Sequence, residues 1–331
     1  MKVMVVDVAA QHGGAATILE QFIKEFKSDS ANNYIVALST MRFENYSNVE
    51  FINFPWIKKS RLHRLWFDVV YFKRLVRKYK PDRILSLQNC TVSAGKIEQE
   101  VYFHNALPLS EKRYSLRESK TMWIYQNILG RYWKRTLKKA SKIYVQAEWI
   151  KRALVTKWHL NEKIITVKKP APDARYMERF ARKDKGIVLF YPANTALYKN
   201  HAKLLEAFSQ VCKELGDSSP TLVLTGNGGG LSEAAKRIAD SNGRIKFVGK
   251  LSKDEMIETY CSSALIFPSL IETVGLPLME AKALGSFIIA NDAEYAHEAV
   301  GSYDKVIYVD AQKTEEIKKA IVEYVNWGAN Q

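Results

Sequence analysis

A short, wholly apolar run that stops against a proline limits what this chain can become more than any other feature. Ala264-Leu265-Ile266-Phe267 is too short for a buried helix and ends at Pro268-Ser269, the pattern of a buried strand followed by a loop. Pro277 then suits a first helical turn, where its missing N–H is not needed. Leu278-Met279-Glu280-Ala281-Lys282-Ala283-Leu284 are good helix formers that run to a terminal Gly285. The order is strand, loop, helix. Such a loop presents the backbone N–H groups of Thr273, Val274, Gly275 and Leu276 at the positive end of a helix, an environment suited to a phosphate.

Two carboxylates bracket that loop. Glu272 can accept hydrogen bonds from sugar hydroxyls and Glu280, eight residues on, from a ribose; both also suit the plainer role of solvated or capping carboxylates favoured by a helix dipole. The whole string resembles the Glu-x7-Glu signature, with Gly-Leu-Pro in its middle, of retaining glycosyltransferases of the GT-B fold, specifically glycosyltransferase family 4 of the glycosyl transferases group 1. The resemblance implies an α/β protein of two doubly wound, Rossmann-like domains facing a cleft. It also implies a nucleoside-diphosphate sugar as donor, with Thr273 to Leu276 and Glu280 in contact with it.

A chain of 331 residues is long enough for two such domains, each with its own core. No apolar run approaches the roughly 18 to 20 residues of a transmembrane helix. Met1 to Val8 reads as a first strand rather than an export signal, and the expected location is cytoplasmic. Cys90, Cys212 and Cys261 lack metal-ligand spacing and are read as reduced thiols without an assigned role. Charge is informative because it is uneven. Residues 1–150 hold 25 Lys and Arg against 13 Asp and Glu, so that half carries +12 of the net +15 and calls for an anionic partner, phospholipid or nucleic acid.

In chain order, the first strand leads through Gly13-Gly14 to a helix with Ile18, Leu19, Phe22, Ile23 and Phe26 at helical spacing. Adjacent glycines let backbone approach a ligand closely, although a tight turn alone would need them too. The family places a Gly-Gly loop here, which implies donor contact. Arg61 to Lys80 is a basic helix ended by Pro81, its apolar residues Leu62, Leu65, Trp66, Val69, Val70, Phe72, Leu75 and Val76 leaving Arg61, Arg64, Lys73, Arg74, Arg77 and Lys78 along a wet flank. A second basic and aromatic cluster spans Lys112 to Lys139. Aromatics mixed with Lys and Arg favour an anionic membrane surface over nucleic acid. His104 ends the strand Val101-Tyr102-Phe103, at the sheet edge where α/β folds bind ligands. The resemblance sets His104 beside the transferred sugar, with a catalytic role, and Asn105 on the acceptor side.

Two prolines, Pro170 and Pro172, and the charged run Arg175 to Lys185 mark a linker at 170–185 between domains 1–169 and 186–314. In the second domain Lys199 sits in the loop after the strand Ile187 to Tyr191, where a cation can neutralise a departing diphosphate. The position is similar to the family's diphosphate-binding lysine, while the Arg often found five residues earlier is replaced by Asn194. Gly226-x-Gly228-x-Gly230 lacks dinucleotide-fingerprint spacing; the resemblance lays Gly226 against the nucleotide, with Lys250 and Leu251 near the base. The last helix, within 315–331, is expected to cross back to the first domain. No Asp-x-Asp triplet occurs, so the expectation is transfer without a metal or other cofactor, Lys199 and helix N-termini holding the diphosphate. The implied acceptor is a glycan or lipid-linked oligosaccharide in capsule, O-antigen or exopolysaccharide synthesis, at the inner face of the membrane. A nucleotide-sugar epimerase, separable by showing transfer rather than isomerisation, and a non-catalytic nucleic-acid or membrane binder are the competing classes.

Overall fold

A computed structural model describes residues 1–11, 13–170, 173–177 and 187–328. His12 of the glycine turn, 171–172 and 178–185 of the expected linker, Gly186 and the last three residues of the chain lie outside the described residues. Internal contacts gather the chain into two units, Met1–Lys169 and Pro170–Gln331.

The first unit is a seven-stranded sheet of β1 (Lys2–Asp7), β2 (Asn33–Leu38), β3 (Val49–Asn53), β4 (Arg83–Ser86), β5 (Glu98–Phe103), β6 (Lys142–Val145) and β7 (Ile165–Val167), in the order β3-β2-β1-β4-β5-β6-β7. The second has six strands, β8 (Val188–Tyr191), β9 (Thr221–Leu224), β10 (Ile245–Phe247), β11 (Ala264–Phe267), β12 (Ile288–Asn291) and β13 (Val306–Val309), in the order β10-β9-β8-β11-β12-β13. Every strand pair is parallel. Parallel strands need crossovers that cover both faces, which is why the strands read as unbroken apolar runs rather than alternating ones. On β1, Val3 and Val5 pack with Leu19, Phe22 and Phe26 of the helix Gly13–Ser28, while Met4 and Val6 face Phe67, Phe72 and Leu75 on the other side.

Each sheet reverses its strand order beside its first strand, between β1 and β4 and between β8 and β11. At such a switch point the loops at the carboxyl ends run off in opposite directions and leave a crevice for a ligand.

The basic helix departs from its expected packing. It is continuous from Arg61 to Tyr79 but contains a π-helical turn at Phe67–Tyr71, and it closes on Lys80 in the left-handed region before Pro81. The extra residue in that turn shifts the helix phase. Phe67, Phe72 and Leu75 therefore enter the core, whereas Leu62, Leu65, Trp66, Val69 and Val70 are exposed. The second basic cluster repeats the device, with a π turn at Tyr125–Leu129 between the helices Lys120–Ile124 and Gly130–Leu137.

In the second unit the terminal helix Thr314–Gly328, expected to cross back, buries Ile317, Ala320, Ile321, Tyr324 and Val325 and packs on the helix His201–Leu215 of its own unit. Lys318 seals that contact with Glu214 at 2.7 Å. The described part of the expected linker, Ala174–Met177, is a 3₁₀ turn.

Candidate active site

At the switch point of the second sheet, the loops after β8 and β11 are tied together. The Leu270 N–H donates to the Tyr198 carbonyl at 2.8 Å, and Asn200 Nδ2 donates to the carbonyls of Pro268 at 3.3 Å and Ala311 at 2.6 Å. Asn200 stands at φ +63°, a left-handed conformation Asn tolerates, and this turns the chain into the helix His201–Leu215. The Tyr191 hydroxyl pins the preceding turn by donating to the Lys199 carbonyl at 2.7 Å.

The consequence is that Lys199 Nζ donates to Glu272 Oε1, with only 14% and 15% of the two side chains exposed. The rings of Tyr198 and Phe267 each lie 5.6 Å from that ammonium. Burial first, and then the Glu272 charge, pushes the phenols of Tyr191 and Tyr295 well above their ordinary range, so both stay neutral donors. Tyr295 spends its proton on the Ser269 carbonyl, holding down the start of the loop.

The loop ends at Gly275, N-cap of the helix Leu276–Ala283, with φ +72°. A Cβ there would stand 3.0 Å from Leu278 Cδ1 and 3.2 Å from Tyr295 Cδ2, so both the conformation and the space call for glycine. Thr273 and Val274 are half-buried, Leu276 is exposed, and Pro277 stands in the first turn.

Glu280 lies on the second turn in different company. The Tyr260 hydroxyl donates to its Oε2 at 2.9 Å. Burial raises the carboxyl's pKa, the Tyr260 bond lowers it, and Asp173 and Lys253 act in opposite senses around it. Asp173 and the 3₁₀ turn that follows it contribute this surround: Asp173 pairs with Lys253, Arg175 meets Asp254 at 3.1 Å, and Tyr176 packs edge-on against Tyr260. Sequence reasoning missed Tyr260, which is wholly buried and reads as an ordinary core aromatic.

The loops after β9 and β10 adjoin the same edge of the sheet. Gly226, at φ +81°, exchanges backbone hydrogen bonds with Gly249 at 2.7 and 3.1 Å, and a Cβ on Gly230 would come within 2.1 Å of Thr195 Oγ1. Lys250 and Leu251 follow directly, before the Ser252 capping box of the helix Lys253–Cys261. Asn194 is exposed, and its Oδ1 accepts from the Ala196 N–H at 3.1 Å.

In the first unit, His104 leaves β5 with its N–H donated to Asn89 Oδ1 at 2.8 Å and its Nε2 3.0 Å from the Leu87 carbonyl. Asn89 Nδ2 also lies 3.4 Å from Nε2, but the shorter contact is to a carbonyl, which can only accept, and this places the proton on Nε2 and leaves the Nδ1 lone pair free. Burial pushes the pKa down to about 4, so the ring is neutral near pH 7. Asn105 Oδ1 accepts from the Leu107 N–H at 3.0 Å. Gly13 and Gly14 open the helix after β1.

Asp7 was not singled out from sequence. It closes β1, is buried, and burial pushes its carboxyl up to about 7 against the Ala10 N–H, Arg64 and Lys58. An acid at the end of an otherwise apolar strand was the available signal. Among the described residues, no three His, Cys, Asp or Glu side chains are gathered to hold a metal ion, and no helix is long and apolar enough to cross a membrane.

Two parallel, doubly wound units with their loops collected at switch points define the class, the Rossmann-like GT-B fold, and solved glycosyltransferase structures share it over 98% of this chain. Sucrose-phosphate synthase from Thermosynechococcus elongatus is similar at TM-score 0.71 and 16% identity, with 90% of its length covered. HepE from Anabaena, in complex with UDP and glucose, is similar at 0.66, 16% and 90%. WaaG, a glycosyltransferase involved in lipopolysaccharide biosynthesis, is similar at 0.71, 11% and 92%. More particularly, residues 173–327 match the family model described as Glycosyl transferases group 1. No curated protein matches by sequence.

Proposed function

We propose that the chain is a retaining, metal-independent glycosyltransferase of family 4 that moves a hexose from a nucleoside-diphosphate sugar to a hydroxyl of a glycan or lipid-linked oligosaccharide. The observation that carries this reading is the Lys199–Glu272 pair, held at the switch point of the second sheet beside the N-terminus of the helix Leu276–Ala283. The group 1 match over the same residues and a neighbour solved with UDP and glucose support it.

Charge develops on the diphosphate as the glycosidic bond breaks, and catalysis needs preorganised positive groups at that place. Lys199 turns from Glu272 toward the diphosphate, and the N–H groups of Val274, Gly275 and Leu276 add the helix-end dipole. Glu272, released, accepts from sugar hydroxyls. Glu280, with Oε2 already taken by Tyr260, offers Oε1 to the ribose. Gly13, Gly14, Asn194, Gly226, Lys250, Leu251 and Thr273 complete the donor contacts. His104 accepts a sugar hydroxyl at Nδ1, and Asn105 serves the acceptor side. No carboxylate acts as nucleophile; the leaving phosphate takes the proton of the incoming hydroxyl on the same face of the sugar, which retains configuration.

The setting is cell-surface polysaccharide synthesis in the cytoplasm at the inner face of an anionic membrane, a reading supported by the excess charge of residues 1–150. The test is release of nucleoside diphosphate from a panel of UDP- and GDP-sugars with glycan acceptors, with and without chelator, and NMR of the product anomer. Transfer that survives chelation and keeps the donor's configuration is expected. Inverted product, chelator-sensitive transfer, or isomerised donor without transfer each overturns the reading.

A further inference from the structure

The helix Arg61 to Tyr79 carries two apolar faces where a surface helix needs one. Phe67, Phe72 and Leu75 are in the core. Leu62, Leu65, Trp66, Val69 and Val70 fall at i, i+3, i+4, i+7 and i+8, the spacing of a regular apolar stripe, yet they are 76, 59, 43, 45 and 39% exposed. Two more large apolar side chains are exposed near the second π turn. There Tyr132, hydrogen-bonded to the Cys90 side chain, is 48% exposed and Ile128, one turn earlier, 53%. An exposed apolar stripe of this regularity marks a contact surface.

Its rim is of one sign. Residues 61–80 hold seven Lys and Arg against one Asp, and 112–139 hold nine against one Glu. Lys73, Arg74, Arg77, Arg131 and Arg135 are all exposed, and Arg74 lies 6.0 Å over the Trp66 ring. A second copy of the chain would set these cations against their own kind, so self-association is electrostatically opposed. A surface that is apolar at its depth and negative at its head groups satisfies both the stripe and its rim.

We propose that the exposed stripe Leu62, Leu65, Trp66, Val69 and Val70 is the face by which the first unit docks on an anionic lipid bilayer, with its apolar side chains seated below the head groups. It rests on the membrane part of the proposed function and names the face responsible. The π turn at Phe67–Tyr71 supplies the means, since it brings Phe67, Phe72 and Leu75 to the core and leaves the regular stripe outside without ending the helix.

The test is co-sedimentation with phosphatidylcholine vesicles, with and without about 30% phosphatidylglycerol, at low and high salt. Native protein should bind the anionic vesicles in a salt-sensitive way. Leu65→Glu with Val69→Glu, which touches only exposed positions, should melt as the native chain does and bind roughly tenfold or more weakly. Brominated lipid should quench native fluorescence more than that of Trp66→Phe. Native binding that the Glu pair leaves unchanged, or equal quenching of the two proteins, overturns the face while sparing the membrane reading. No native binding at low salt overturns both. A native dimer that the Glu pair dissociates, without vesicle dependence, assigns the face to a second copy and also overturns the proposal.

Discussion

Replacing Lys199 by Met separates what the ion pair does for folding from what its ammonium does for transfer. The substitution keeps most of the stem and removes the charge, leaving the Glu272 carboxylate 15% exposed among Tyr191, Tyr198, Phe267 and Tyr295 without its cation. Breaking a fully buried pair costs about 3–5 kcal/mol, whereas an exposed pair contributes about 0–1. Residual water access at this pair puts the expected loss at about 2–3 kcal/mol. For a unit of this size each kcal/mol lowers Tm by roughly 2–4 °C, so a drop of about 5–10 °C is expected by calorimetry or tyrosine fluorescence. Adding Glu272→Gln removes the stranded charge and should return most of that loss, because replacing both partners of such a pair is far less costly than removing one. Transfer should behave differently. Lys199→Met and the double variant should both lose roughly 10²–10³ in kcat, since neither restores a cation where the diphosphate leaves. A double variant that regains stability and transfer together refutes the role given to Lys199. A single variant that melts within a degree of the native chain refutes the energetic argument for the pair.

Gly275→Ala forces a Cβ into the left-handed region and against Leu278 and Tyr295, so a loss of roughly 1–3 kcal/mol with raised donor KM is expected from urea titration and kinetics. Asp7 ionises at its ordinary 3.8 in the unfolded chain but only near 7 when folded, so across that interval the folded state holds the extra proton and stability falls as pH rises. Asp7→Asn should therefore be as stable as the native chain near pH 3.5 and more stable at pH 8, by up to ~4 kcal/mol and with a higher Tm, and equal melting curves at pH 8 would contradict the assignment. Tyr260→Phe frees Glu280 Oε2 and should raise KM for the donor several-fold with little change in kcat, and should narrow the preference for a ribose donor over its 2′-deoxy analogue.

The strands were legible because each is a short apolar run between loop signals, and a sheet covered on both faces admits nothing else. The edge of the second sheet was legible for a related reason. Gly226, Gly275 and Gly285 sit at φ +81°, +72° and +72°, and each stands where the sequence needed a turn into or out of a regular element. Lys199 and Glu272 could be picked out one at a time, but not as partners, because 73 residues separate them and only the reversal of strand order between β8 and β11 brings their loops together. Tyr260 and Glu280 meet across 20 residues for the same kind of reason. The basic helix was misread at a deeper level. Leu62, Leu65, Trp66, Val69 and Val70 have the period of a core-facing stripe, and periodicity reports that a stripe exists without saying what covers it. Phe67, Phe72 and Leu75 make a competing stripe only once an extra residue is admitted between Phe67 and Phe72, a phase change that a fixed period cannot express. Apolar residues at core spacing on a strongly basic helix are therefore ambiguous until a second set capable of filling the core has been sought. Where one is found, the regular stripe is the one free to face outward.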